Sequence, residues 1–150
     1  MNMFKNAVVL ILGLSAASAF GAKNCEFTVE GNDQMKFNVS EITVDSTCAE
    51  VKVTLKHVGK LPKMALGHNW VLTKAADMAG VVTASATAGA AKDFLAVGDK
   101  RILAHTKLLG GGESDTATFK MGGFKKGEEY KFFCSFPGHS ALMNGKFVVK

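Results

Sequence analysis

Ten residues near the C-terminus, Cys134-Ser-Phe-Pro-Gly-His139-Ser-Ala-Leu-Met143, bring a thiol, an imidazole and a thioether into one short stretch. Soft sulfur donors suit copper. A Cys with two His and a weak, distant Met is the donor set of a blue-copper electron-transfer centre. The second imidazole has an evident source in His68, within Leu66-Gly67-His68-Asn69-Trp70. Pro137-Gly138 turns the chain before His139, so one loop can present three donors while His68 anchors the ion to a distant strand. A thiolate and two imidazoles form a trigonal set, which the Met sulfur caps from one side. That geometry lies between the preferences of Cu(I) and Cu(II), so little reorganises when an electron arrives. Such a centre moves electrons and transforms nothing.

Each donor also has an ordinary reading. Met143 could fill a core gap, as Met commonly does; His139 could be a loop residue, His68 a satisfied core histidine and Cys134 an inert buried thiol. A Cys-x4-His pair alone is a weak signal, and the Met at this spacing with the upstream Gly-His-Asn makes it a strong one. Other chemistries fit less well. Cys134, His139 and Asn144 could be drawn as a thiol-hydrolase set, but nearness along one loop carries no attack geometry. A copper oxidase or reductase needs additional His ligands, and the chain has four His in all. A copper-delivery or storage protein, the second reading, favours Met-rich or Cys-x-x-Cys motifs, and neither occurs. Zinc also suits Cys and His.

The elements that must hold these residues read as strands. Phe27 and Val29, Ile42 and Val44, and Val51, Val53 and Leu55 alternate with polar residues at the period of a half-buried strand. Thr116–Met121, Tyr130–Cys134 and Lys146–Val149 do the same. Turn signals separate them at Gly31-Asn32-Asp33, Asp45-Ser46, Gly98-Asp99, Gly110-Gly-Gly112 and Lys125-Lys-Gly127. Only Lys74 to about Ala88 is Ala-rich enough for a helix, weakened by Val81, Val82 and Thr. The pattern predicts an all-β Greek-key sandwich of about eight strands with one short helical insertion.

Residues 1–22 read as a secretory signal peptide. Lys5 is the basic end, Ala7–Leu14 the apolar run and Ser15–Ala22 the small-residue exit, with cleavage between Ala19 and Ala22. The apolar run is shorter than the about 20 residues a bilayer span requires. Lys23-Asn24 before Cys25 argues against a lipid anchor, so a soluble periplasmic protein is expected. The single domain, 23–150, keeps 17 of the 18 basic residues against 13 acidic ones, 17 minus 13 or +4. This mild, dispersed charge with one Arg excludes the basic blocks of nucleic-acid binders. Three Cys in an exported chain divide into one bridge and one remainder. A Cys25–Cys48 bridge would stabilise by about 3 kcal/mol and leave Cys134 free for a metal.

Over essentially the whole mature chain, from Cys25 to Lys150, the sequence resembles the azurins. Gly31-Asn32-Asp33-Gln34-Met35, Gly67-His68-Asn69-Trp70, Ala75-Ala76-Asp77-Met78, Ala104-His105-Thr106-Lys107 and Phe132–Met143 carry the resemblance. It implies a cupredoxin-like sandwich and one type-1 copper ion held by His68, Cys134 and His139. Met143 would be axial, with the Gly67 carbonyl on the opposite side. It further implies that Asn69 and Ser135 link the two ligand-bearing loops and that the Phe136 amide donates to the thiolate. The Cys25–Cys48 bridge is implied as well. Met121-Gly122-Gly123-Phe124 departs from a more polar family stretch, away from the centre.

The same resemblance places Met35, Leu61, Leu66, Phe136, Pro137, Gly138, Ala141 and Leu142 around the exposed edge of His139 as a docking patch. Brief, weak docking suits a modest apolar patch. The implied partners are redox proteins, a c-type cytochrome on one side and a terminal reductase or peroxidase on the other, with the carrier a monomer. His57 shares the parity of Val51, Val53 and Leu55, which predicts a buried structural His; redox-linked protonation is the alternative. His105 is expected to face solvent and Trp70, the single Trp, to pack in the core.

Overall fold

A computed structural model describes residues 24–150; the signal-peptide reading of 1–22 lies outside them. Two sheets face each other. The first contains β1 (Glu26–Asn32), β2 (Lys36–Phe37), β4 (Glu50–His57) and β7 (Ser114–Lys120), in the order β2-β1-β4-β7. The second contains β3 (Glu41–Val44), β5 (Val71–Lys74), β6 (Ala104–His105), β8 (Tyr130–Phe133) and β9 (Asn144–Val149), in the order β3-β9-β8-β5-β6. Neighbours are antiparallel except β1 with β4 and β3 with β9, the parallel pairs that long crossovers between sheets create. Among the described residues nine strands stand where about eight are expected, and β2 and β6 are two-residue pairings.

Strict alternation governs the strands that have one wet face. Along β4, Val51, Val53, Leu55 and His57 point into the core, while Lys52 and Lys56 point out. His57 is therefore buried, as its parity predicts. The core joins Val29, Val53 and Leu55 of one sheet to Trp70, Leu72, Phe132 and Phe147 of the other. Trp70 is wholly buried, stacked between Phe119 and Phe132 at 6.2 and 5.9 Å. Phe124, from the stretch that departs from the family, packs against Phe119, Tyr130 and Phe147 and closes this core at one end.

β5 does not alternate: Val71, Leu72 and Thr73 are all buried. The reason is the helical insertion. A 3-10 turn at Ala75–Asp77 leads into α2 (Met78–Ala88), which lays Val81 over the outer face of the second sheet. Val71, Val81, Leu95 and Phe133 form a second, smaller core there. α2 ends at Gly89, whose φ of +72° is a left-handed value that only glycine adopts without strain. The Cys25–Cys48 disulfide is formed, with Cα atoms 5.8 Å apart, and ties the start of β1 to the approach of β4. Among the described residues no helix is long and apolar enough to cross a membrane.

Candidate metal centre

β5 and β8 are adjacent, with Val71 opposite Phe133. This register brings the segment before β5 next to the segment after β8, so His68 meets Cys134. His68 is held by an isolated bridge to Leu109: its N–H donates to the Leu109 carbonyl at 3.0 Å, and the Leu109 N–H returns to the His68 carbonyl at 2.8 Å. α1 (Lys63–Leu66), a four-residue helix absent from the sequence expectation, delivers the chain to Gly67. A Cβ on Gly67 would stand 2.4 Å from the Lys63 carbonyl oxygen, so that approach requires glycine.

The second ligand-bearing loop closes on itself. Beyond Cys134 the chain reverses at Gly138, with φ +81°, and makes a 3-10 turn at His139–Ala141 before entering β9. The Met143 N–H donates to the His139 carbonyl at 2.8 Å, and the Cys134 N–H donates to the Met143 carbonyl at 3.0 Å. Three residues nine positions apart at most are thus fixed by the backbone of their own loop.

The donor atoms converge. Cys134 Sγ lies 3.6 Å from His139 Nδ1, 4.0 Å from His68 Nδ1 and 3.9 Å from the Gly67 carbonyl oxygen. All three ligand atoms of His68, Cys134 and His139 fall within 4.8 Å of one another, and all three residues are buried. Met143 is completely buried, and both its methyl carbon and the His68 ring flank Gly31, where a Cβ would meet them at 3.4 and 3.0 Å. The set is rich in soft donors and fits copper.

Hydrogen bonds outside the donor set decide which nitrogens are free. His68 Nε2 lies 2.8 Å from the Asn32 carbonyl oxygen, which can only accept, so Nε2 carries the proton and Nδ1 offers its lone pair toward the sulfur. His57 stacks on the His68 ring and donates Nε2–H to the Leu66 carbonyl at 2.9 Å. Its Nδ1 accepts the Gly59 N–H at 3.1 Å, so both ring nitrogens are engaged.

The predicted link between the loops is present. Asn69 Nδ2 donates to Ser135 Oγ at 2.7 Å, and the Ser135 N–H donates to Asn69 Oδ1 at 2.8 Å. Two contacts lie beyond the sequence reading. Ser135 Oγ donates onward to the Phe94 carbonyl at 2.7 Å, so a third segment joins the link. The Asn69 backbone amide, besides that of Phe136, hydrogen-bonds the Cys134 sulfur and favours its thiolate. Burial acts the other way and dominates, pushing the thiol of the metal-free protein up to about 11. Burial, with His68 and His57 nearby, holds His139 down at about 4, and burial also lowers His68. At neutral pH both imidazoles are unprotonated and able to ligate.

Of the residues expected to dock partners, Phe136, Pro137, Gly138, Ala141 and Leu142 lie on this loop itself. His139 is only 2 % exposed, its ring covered by Phe136 at 4.6 Å. Leu142 is 63 % and Leu61 43 % exposed, Pro137, Gly138 and Ala141 are exposed, and Met35, Leu66 and Phe136 are half-buried. Met64, on α1, is a further exposed apolar residue at 53 %, and nothing in the sequence marks α1. His105 is exposed, as expected. Asn144 does not serve His139: its amide donates to the Ser140 carbonyl at 2.9 Å, and its oxygen accepts from Lys131 Nζ at 3.4 Å.

Comparison with known proteins agrees with this geometry. The family model described as copper binding proteins, plastocyanin/azurin family, matches residues 23–150. Azurin of Pseudomonas aeruginosa is 51 % identical over 146 residues, covering 97 % of this chain and 98 % of the relative. Azurin of Bordetella pertussis is 48 % identical over 147 residues, covering 95 % and 96 %. A solved azurin of Methylomonas sp. strain J superimposes with a TM-score of 0.81 at 42 % identity, covering 85 % of this chain and 98 % of that one. With His68, Cys134 and His139 gathered as copper ligands on a two-sheet cupredoxin frame, the chain belongs to the plastocyanin/azurin family of copper-binding proteins.

Proposed function

We infer that this protein is a periplasmic carrier of single electrons, with one type-1 copper ion bound by His68, Cys134 and His139. The buried Met143 thioether and the Gly67 carbonyl, 3.9 Å from Cys134 Sγ, would add weaker donors to this set. The observation that carries the reading is the buried trio whose ligand atoms lie within 4.8 Å of one another, with the His68 proton already committed to Asn32. Bound copper supplies a one-electron couple, Cu(I)/Cu(II). The chain supplies everything else. The paired loops hold the donors at fixed spacing, burial excludes water and exogenous ligands, and the Asn69 and Phe136 amides stabilise charge on the sulfur. Asn144 is bonded elsewhere, which removes the third member of a hydrolase set.

Electrons enter and leave at the apolar rim on the His139 loop, where the exposed Leu142 lies three residues from this buried ligand. The monomer meets c-type cytochromes and a terminal reductase or peroxidase there, in brief encounters. The test is to add Cu(II) to purified metal-free protein and record the visible spectrum with a metal count. An intense thiolate-to-copper band at one ion per chain, abolished in Cys134→Ser, is the expected result. No such band, or its survival in Cys134→Ser, would overturn the assignment. Slow copper loss to a chelator is expected from buried donors; rapid transfer to an acceptor would instead indicate copper delivery.

A further inference from the structure

The apolar rim has an asymmetric charged border. Leu142 forms one wall of an open groove of about 360 Å³ that is also lined by Lys36, Phe37, Val39 and Asn144. No carboxylate lines it. Lys131 reaches its edge through the 3.4 Å contact of Nζ with Asn144 Oδ1. Lys36 is exposed and forms no ion pair among the described residues, and the same holds for Lys60 beside Leu61.

Asp93 and Asp33, the acidic residues in contact with Lys63 and Lys60, are already engaged. Asp93 pairs with Lys63 at 3.0 Å. Asp33 accepts the backbone N–H groups of Lys60 at 2.8 Å and Leu61 at 3.4 Å, which lowers its pKa. With Lys36 in its lining, Lys131 at its edge and no carboxylate in it, the groove itself carries positive charge next to the exposed Leu142.

We propose that the groove beside Leu142, with Lys36 and Lys131 at its margins, receives the acidic contact surface of a redox partner protein. This rests on the docking role assigned to the rim above, and adds the partner's charge and the place where it engages. Opposite charges at the border speed encounter and fix orientation, while the leucines provide the contact that holds the encounter complex. Because Lys36 is exposed, the attraction is screened by salt.

The copper-loaded, reduced protein is mixed by stopped flow with an oxidised basic c-type cytochrome, and with the same cytochrome after succinylation of its lysines. The second-order rate with the succinylated form should fall by about tenfold between 10 and 200 mM salt. The rate with the basic form should rise. Lys36→Glu should remove at least about half of that salt dependence. Lys120→Glu, the same charge change at the far end of β7 opposite Glu50, should leave it intact. Leu142→Ala should slow transfer to both cytochromes several-fold at every salt concentration.

Equal effects of Lys36→Glu and Lys120→Glu, or no salt dependence with Leu142→Ala still slow, would overturn the acidic-partner proposal and leave the docking rim standing. Full speed in Leu142→Ala would overturn the docking reading, and the proposal with it.

Discussion

His57 lies face to face with His68, ring centroids 4.4 Å apart and planes 16° from parallel, and its Nε2–H also holds the Leu66 carbonyl. One buried side chain thus braces a ligand ring and the peptide next to Gly67. His57→Ala removes both contacts while leaving every donor in place. Copper affinity should fall by about 10- to 100-fold, the usual effect of losing a contact that orients a ligand. Competition with a chelator measures it, and unchanged affinity would show that the stack is incidental.

Asn69 and Ser135 exchange two buried hydrogen bonds across the ligand loops. Asn69→Ala strands the Ser135 N–H in a buried site, at a cost of about 2 kcal/mol in the metal-free protein. Asn69→Asp restores an acceptor without restoring the donor to Ser135 Oγ and should recover only part of it. Urea unfolding followed by Trp70 emission gives both values.

The metal-free protein should be most stable between about pH 6.5 and pH 9. His139 has its folded pKa lowered to about 4, so the unfolded chain binds the proton first as pH falls from 6.5, and stability drops until about pH 4. Cys134 has its folded pKa raised to about 11, so the unfolded chain releases its proton first as pH rises past 9, and stability drops again. Denaturation midpoints across this range test both limbs. Because copper binds the thiolate, loading at pH 7 should release about one proton per ion, readable by calorimetry in buffers of different ionisation heat.

Removing the bridge with Cys25→Ala and Cys48→Ala together should cost about 3 kcal/mol, from a 23-residue separation in the chain-entropy account. The thermal midpoint should fall by roughly 10 °C. The visible spectrum should not change, because the bridge lies at the start of β1 and the donor set at its end. A shifted copper band in the double variant would contradict that separation.

What was legible in the chain follows from how local each signal is. The Cys134–Met143 loop is closed by its own backbone, so its chemistry could be read from adjacent residues. β4 alternates because one face is wet, and His57 could be placed by parity alone. β5 could not be recognised, because α2 dries its outer face and erases the period of two. α1 is a single turn after Pro62, too short for any periodicity. The Ser135 contact with Phe94 joins residues 41 apart through a backbone carbonyl, which no side-chain pattern encodes.

β1 runs from Glu26, next to the disulfide, to Asn32, whose carbonyl fixes His68. Seven residues of strand span about 23 Å. Lys150 belongs to the disulfide end as well, since its carbonyl accepts the Ser46 N–H at 2.6 Å. Asn24 and Lys150 therefore sit together at the pole opposite the donor set. A linker attached to either one, to a surface, an electrode or a second protein, would hold the molecule by its base and leave the metal centre facing outward.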